Sequence, residues 1–248
     1  SLVMAALLFV DTEKIWLAAI FAGLAYLTRS ALVALGAGIV LYLLYKRRFR
    51  HAAIFAGILA PFVIWWNWWV ATHGNPNATG AAVFYTNYVG FYKENVTLTT
   101  LPGIMWKNLA MLFQSAGALI YFNTASSEFD VHFGRLLTFG AIAGVVRLAK
   151  RNGLNAYHCF AIVYALGLLT WNYVPHERLV FPLFPLLLAG LASELTHFFE
   201  MIRGSYAKQK GAAIAIGGVA SLALLFIAWT NFDAIRLYMP GLLERYRG

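Results

Sequence analysis

Thirty-one consecutive residues, Ile15 to Tyr45, carry a single formal charge, Arg29. Drawn as one straight helix, the stretch would run about 46 Å, well past the roughly 30 Å of bilayer hydrocarbon. Two full spans need more residues than it has. The economical solution is a hairpin of two short helices turning at Thr28-Arg29-Ser30, which puts the arginine at a membrane surface. Ser30 is expected to cap the helix that follows. An arginine beside a helix N-terminus is a site for anions, phosphate above all.

The rest of the chain agrees with a membrane setting. It is 61% hydrophobic and 12% charged, against about 45–50% and 25% for an ordinary soluble domain. Spanning helices satisfy their own backbone, so the expected class is all-α: a polytopic bundle of about 7–8 spans or partial spans plus an external interfacial helix. One cysteine, Cys159, excludes an internal disulfide. The net charge of +9 does not call for nucleic acid, because much of it falls in short loops between apolar segments. The first apolar run, Leu2–Val10, is too short to cross, which suggests the C-terminal portion of a longer chain.

Further apolar segments follow at Ala52–Val70, Ile104–Phe122, Val131–Leu148, Ala156–Tyr173, Leu179–Phe199 and Ala212–Thr230. Basic clusters lie at Lys46, Arg47, Arg48 and Arg50, at Arg147, Lys150 and Arg151, and at Arg203, Lys208 and Lys210. With all three on the cytoplasmic side, Val131–Leu148 and Leu179–Phe199 both run inward, and Ala52–Val70 and Ala156–Tyr173 run outward. That parity holds if Ile104–Phe122 lies in the external interface, or dips in and returns, instead of crossing. One transmembrane domain over 1–248 is then expected, with an external loop and interfacial helix over 73–130 and an external tail over 231–248. Trp65, Trp66, Trp68 and Trp69 close an outward span as an aromatic belt. Asn77-Ala78-Thr79 and Asn95-Val96-Thr97 in the loop match a glycosylation acceptor pattern, which is weak.

Two constellations carry chemistry. One is the Thr28-Arg29-Ser30 turn. The other is His176-Glu177-Arg178, followed by Pro182 and Pro185 at the start of an inward helix. Pro182 suits a first helical turn, where its missing amide hydrogen is not needed, while Pro185 implies a kink or a later start. Two arginines at two external helix starts, if near each other, would hold a phosphate or diphosphate at the interface. The plainer reading of each is an interfacial anchor that snorkels to headgroups. Tyr85, Tyr88 and Lys93 are candidate substrate contacts in a loop that also reads as merely solvated. No pair of histidines has metal-site spacing, and His158 and Cys159 read as packing residues.

The segment from Trp16 to Arg29, with Gly23-Leu24-Ala25 and Leu27-Thr28-Arg29, then an apolar span and Lys46-Arg47-Arg48, resembles the middle of integral-membrane glycosyltransferases of the GT-C class. The relevant branch is the aminoarabinose-transferase and protein-mannosyltransferase-like group. Glu177-Arg178 with Pro182 and Pro185 is similar to an Arg-x-x-x-Pro-x-x-Pro segment of that group. The resemblance implies transfer of a sugar from a polyprenyl-phosphate donor on the non-cytoplasmic face of a bacterial inner (plasma) membrane. It implies inversion at the sugar carbon with a carboxylate as general base. In the group that base lies in the first external loop, so it is expected upstream of this chain. Arg29, Ser30 and Arg178 would hold the donor phosphate, with His176 and Glu177 beside the substrate. No cofactor is assigned, and a divalent metal stays open. The partners are the bilayer and the lipid-linked sugar. The alternatives are a transporter or flippase of an anionic lipid or solute, and a non-catalytic membrane subunit.

Overall fold

The structure is a computed structural model that describes residues 1–73, 92, 96–121, 128–206, 218, 221 and 225. The described residues are all-helical, with no strand among them. The helices are α1 (Leu2–Asp11), α2 (Ile15–Thr28), α3 (Val33–Tyr45), α4 (Phe49–His73), α5 (Leu101–Ile120), α6 (Glu128–Asn152), α7 (Ala156–Thr170), the single turn α8 (Glu177–Val180) and α9 (Phe184–Tyr206). Short 3-10 turns at Ser30–Leu32 and Phe181–Leu183 precede α3 and α9. Three stretches are long and apolar enough to cross a membrane: Phe49–His73, Val131–Asn152 and Glu177–Arg203. Four shorter apolar stretches, Leu2–Asp11, Ile15–Thr28, Ser30–Tyr45 and Ala156–Thr170, fall below full span length. Against the expected 7–8 spans or partial spans, three stretches among the described residues have the length and apolarity of a full span. Helix α5 is 20 residues long but is not one of them.

The chain divides into two compact units. The first is Ser1–Leu109 with Gly153–Val174, and the second is Ala110–Asn152 with Pro175–Gly248.

In the first unit, α2 packs chiefly on α1 and α4, and α3 chiefly on α7. The stretch Ile15–Tyr45 breaks where the lone charge falls. Thr28 donates its hydroxyl to the Ala25 carbonyl at 2.7 Å, and Arg29 leaves the helix in an extended conformation (φ −156°, ψ 112°). The opposite ends of α2 and α3 meet a common edge, where Arg48 donates to Glu13 at 2.8 Å. Tight turns there put Glu13 and Arg47 at φ 59° and 56°, in the left-handed region. Helices α2 and α4 run in the same direction. A side chain at Gly23 would meet the Phe62 ring, and one turn on, the Asn67 amide donates to the Tyr26 hydroxyl at 3.1 Å. That direction carries Trp65, Trp66, Trp68 and Trp69 toward the Arg29 end and away from the Glu13–Arg48 end. Helix α3 comes close to α7 because Gly38 has no side chain; a Cβ there would strike the Phe160 backbone.

In the second unit, the latter half of α5 and the first half of α6 form an antiparallel pair. Gly117 lies against Gly134, and Thr138 donates to the Phe113 carbonyl at 3.0 Å. Helix α9 lies along α6 in the parallel sense: Gly144 meets Gly190, and one turn later Arg147 meets Glu194. This is the common direction expected of the two inward-running segments. The glycine pairs matter because backbone meets backbone at both contacts, an approach that any side chain would block.

Candidate functional site

The first unit gathers polar groups at the end marked by Arg29. Arg29 is half-buried, and it lies within electrostatic reach of Tyr164 on α7, which is buried. Ser30, also half-buried, does not cap α3 as expected. It opens the 3-10 turn Ser30–Leu32, whose cap is Arg29, while the backbone cap of α3 is Leu32, with no side-chain bond at either. The physical reason is the tighter winding of that first turn, which delays the α-helical start to Val33. Any attraction Arg29 offers an anion is therefore its own charge more than the dipole of α3, which fades within about one turn.

Near the C-terminal end of α7, Asn108 supplies a second polar device. Its amide nitrogen donates to the carbonyls of Leu168 at 3.0 Å and Leu169 at 3.1 Å, and also to Trp171. Asn108 is 2% exposed, so it satisfies last-turn carbonyls that water does not reach. At the other end of α7, Asn155 and His158 form a reciprocal capping box. That accounts for His158 as a structural residue, and Cys159 beside it is buried.

The second unit holds His176, Glu177 and Arg178, all exposed. His176 is the backbone cap of the one-turn helix α8, and Glu177 and Arg178 are its first two residues. Arg178 thus sits within a helical turn, not ahead of a long helix as expected. The prolines account for this. Pro182 falls in the 3-10 turn Phe181–Leu183, and Pro185 occupies the second position of α9, where no amide hydrogen is needed. Of the two outcomes Pro185 implied, a kink or a later start, the later start occurs: the long helix begins at Phe184. Ser115 on α5 fixes this entry by donating to the Pro175 carbonyl at 2.9 Å.

Arg29 and Arg178 belong to different units, and each is described within its own. Tyr85, Tyr88, Lys93, the Asn77-Ala78-Thr79 pattern and the tail over 231–248 lie outside the described residues. Among the described residues, no three His, Cys, Asp or Glu side chains are grouped to hold a metal ion. Sequence reasoning passed over Arg135, a charge one turn into the candidate span Val131–Asn152. Its signal was visible, since every other formal charge in Val131–Leu148 sits near the far end, at Arg147. Asn108 and Ser115 gave no such signal, because their partners lie 60 or more residues away.

Comparison with family models, with curated proteins and with solved structures returns no match.

Proposed function

We propose that this chain acts as a membrane glycosyltransferase that takes a sugar from a polyprenyl-phosphate donor at the outer face of a bacterial plasma membrane. The observation that carries the reading is the lone arginine of a long apolar stretch. Arg29 stands at a helix break on the tryptophan-rich end of its unit, opposite the end holding Arg48 and the other loop arginines. By the positive-inside rule the Arg48 end is cytoplasmic, so Arg29 faces outward. The three long apolar stretches support the membrane setting.

In the reaction, the bond from the sugar carbon to the donor phosphate oxygen breaks. A bond from the acceptor oxygen to that carbon forms, and the acceptor's proton passes to a carboxylate base. The polyprenyl phosphate leaves with its electron pair. Arg29 and Arg178, each taken within its own unit, are assigned to phosphate recognition, where a guanidinium fork neutralises charge as it builds on the leaving oxygens. No carboxylate among the described residues is assigned the role of base. Ser30, His176 and Glu177, adjacent in sequence to these arginines, are assigned to headgroup or acceptor contact.

The test is sugar transfer in proteoliposomes with Arg29→Ala and Arg178→Ala. Loss of a charge-assisted hydrogen bond lowers donor affinity or turnover roughly ten- to a hundredfold. Unchanged transfer with both arginines replaced would remove the reading.

A further inference from the structure

Arg135 has an unusual setting within the second unit. Its Nε is sealed from solvent and meets no acceptor. A buried donor left this way has given up its water without gaining an acceptor, which is unfavourable. Twelve residues along the same helix, Arg147 shows what such a group does when served, since Glu194 fills its fork from both oxygens. Neither ion pair among the described residues includes Arg135.

The register of the unit sets the level of Arg135. Ser115 lies on α5 between Gly117, which meets Gly134, and Phe113, which accepts from Thr138. Ser115 is therefore level with the residue midway between Gly134 and Thr138, within one position of Arg135. Ser115 also holds Pro175, three residues ahead of Arg178. Arg135 and Arg178 thus occupy the same end of this unit, away from Arg147, Lys150 and Arg151.

The surface below Arg135 is apolar. Phe139 follows one turn later on the same face and is 64% exposed, and Val146 continues the line at 48%. Positions 135, 139, 142 and 146 form one stripe along a helix. A cation at the top of an exposed apolar stripe complements a molecule with an anionic head and a long hydrocarbon tail. Phosphate oxygens match the planar guanidinium fork of this half-buried side chain.

We propose that Arg135 and the stripe through Phe139 and Val146 seat the polyprenyl-phosphate carrier, with the phosphate on the Arg135 fork and the chain running down α6. This rests on the functional reading above and adds to it a headgroup contact and a track for the tail.

The experiment is equilibrium binding to the full chain in nanodiscs of neutral lipid. The probes are a long-chain prenyl phosphate, the matching uncharged prenol, a short-chain prenyl phosphate and phosphatidic acid. Arg135→Gln weakens the long-chain phosphate about tenfold or more and leaves the prenol unchanged. Arg135→Lys, which keeps the charge without the fork, falls between. Phe139→Ala weakens the long-chain phosphate more than the short one. Wild-type-like binding by Arg135→Gln, with an unaltered melting temperature, overturns the proposal. So does equal competition by phosphatidic acid, which marks a site for bulk lipid, or failure of the wild type to bind the long-chain phosphate. If Arg178→Ala weakens binding and Arg135→Gln does not, this inference fails and the functional reading stands. The reverse result keeps Arg135 and removes Arg178 from the donor site.

Discussion

Arg147 and Glu194 share a forked hydrogen bond, with Nε donating to Oε2 at 3.0 Å and Nη2 to Oε1 at 3.1 Å. The pair joins α6 to α9 one turn beyond the Gly144–Gly190 contact, so it fixes the parallel register of the two helices. Both groups are partly exposed, at 42% and 28%, and salt screens the attraction. Replacing either residue by alanine lowers the melting temperature modestly, and the double replacement lowers it no further than the worse single one. The exchange Arg147→Glu with Glu194→Arg restores most of the loss. Thermal unfolding in detergent at low and high salt checks this, with coupling that shrinks as salt rises.

The glycines of α6 make a sharper contrast. A Cβ on Gly144 runs into the Gly190 backbone, and one on Gly190 runs into the Ala141 carbonyl, whereas one on Gly140 meets nothing. Gly144→Ala and Gly190→Ala therefore force α6 and α9 apart and cost about 1–3 kcal/mol or more. Gly140→Ala, only four residues from the first, removes a poor helix former from open space and stabilises by about 0.5–1 kcal/mol. The order of the three melting temperatures decides the matter. Equal behaviour of Gly140→Ala and Gly144→Ala would mean the helices do not touch there.

The residues that a reader of the sequence could place are those whose signal is local. Arg29 broke an apolar run too long for one span and too short for two, and the chain does turn there. Pro182 and Pro185 forecast a disturbed helix start, and α9 begins after a 3-10 turn. The failures are also local in origin. Ser30 has the chemistry of a cap, but a cap depends on the winding of the next turn, and that turn is 3-10 rather than α. Arg178 was expected at the start of the long helix, but it lies in the separate turn α8, which begins at Glu177, and α9 starts only at Phe184. What could not be read was long-range. Gly144 looks like Gly140 until the partner helix is known, and Asn108 looks like any polar residue in a helix until α7 ends against it.

Asn108 supplies a direct test of that last contact. Its amide nitrogen serves three carbonyls around the C-terminal end of α7, and aspartate has nearly the same shape with no donor at that position. Asn108→Asp therefore places oxygen against oxygen in a site sealed from water, and costs more than Asn108→Ala. The alanine change leaves the carbonyls unsatisfied at about 1–3 kcal/mol. Asn108→Leu fills the volume without a donor and falls close to alanine. Melting temperatures in the order wild type, alanine, aspartate bear the contact out, and a silent aspartate would show that the carbonyls find other donors.

The two ends of the first unit make opposite predictions for chemical labelling. Glu13 and Arg48 are exposed and paired at one end, while Trp69 is exposed and Ser30 half-buried at the other. The single cysteine, Cys159, is buried and is changed to serine to give a silent background. Cysteines placed at Glu13 or Arg48 then react with a membrane-impermeant maleimide only after cells are opened. Cysteines at Ser30 or Trp69 react in intact cells. The direction follows from the basic residues Lys46, Arg47, Arg48 and Arg50 staying on the cytoplasmic side. Labelling of positions 30 and 48 from the same side would contradict both the hairpin turning at Arg29 and the external phosphate site built on it, because the two positions close opposite ends of α3.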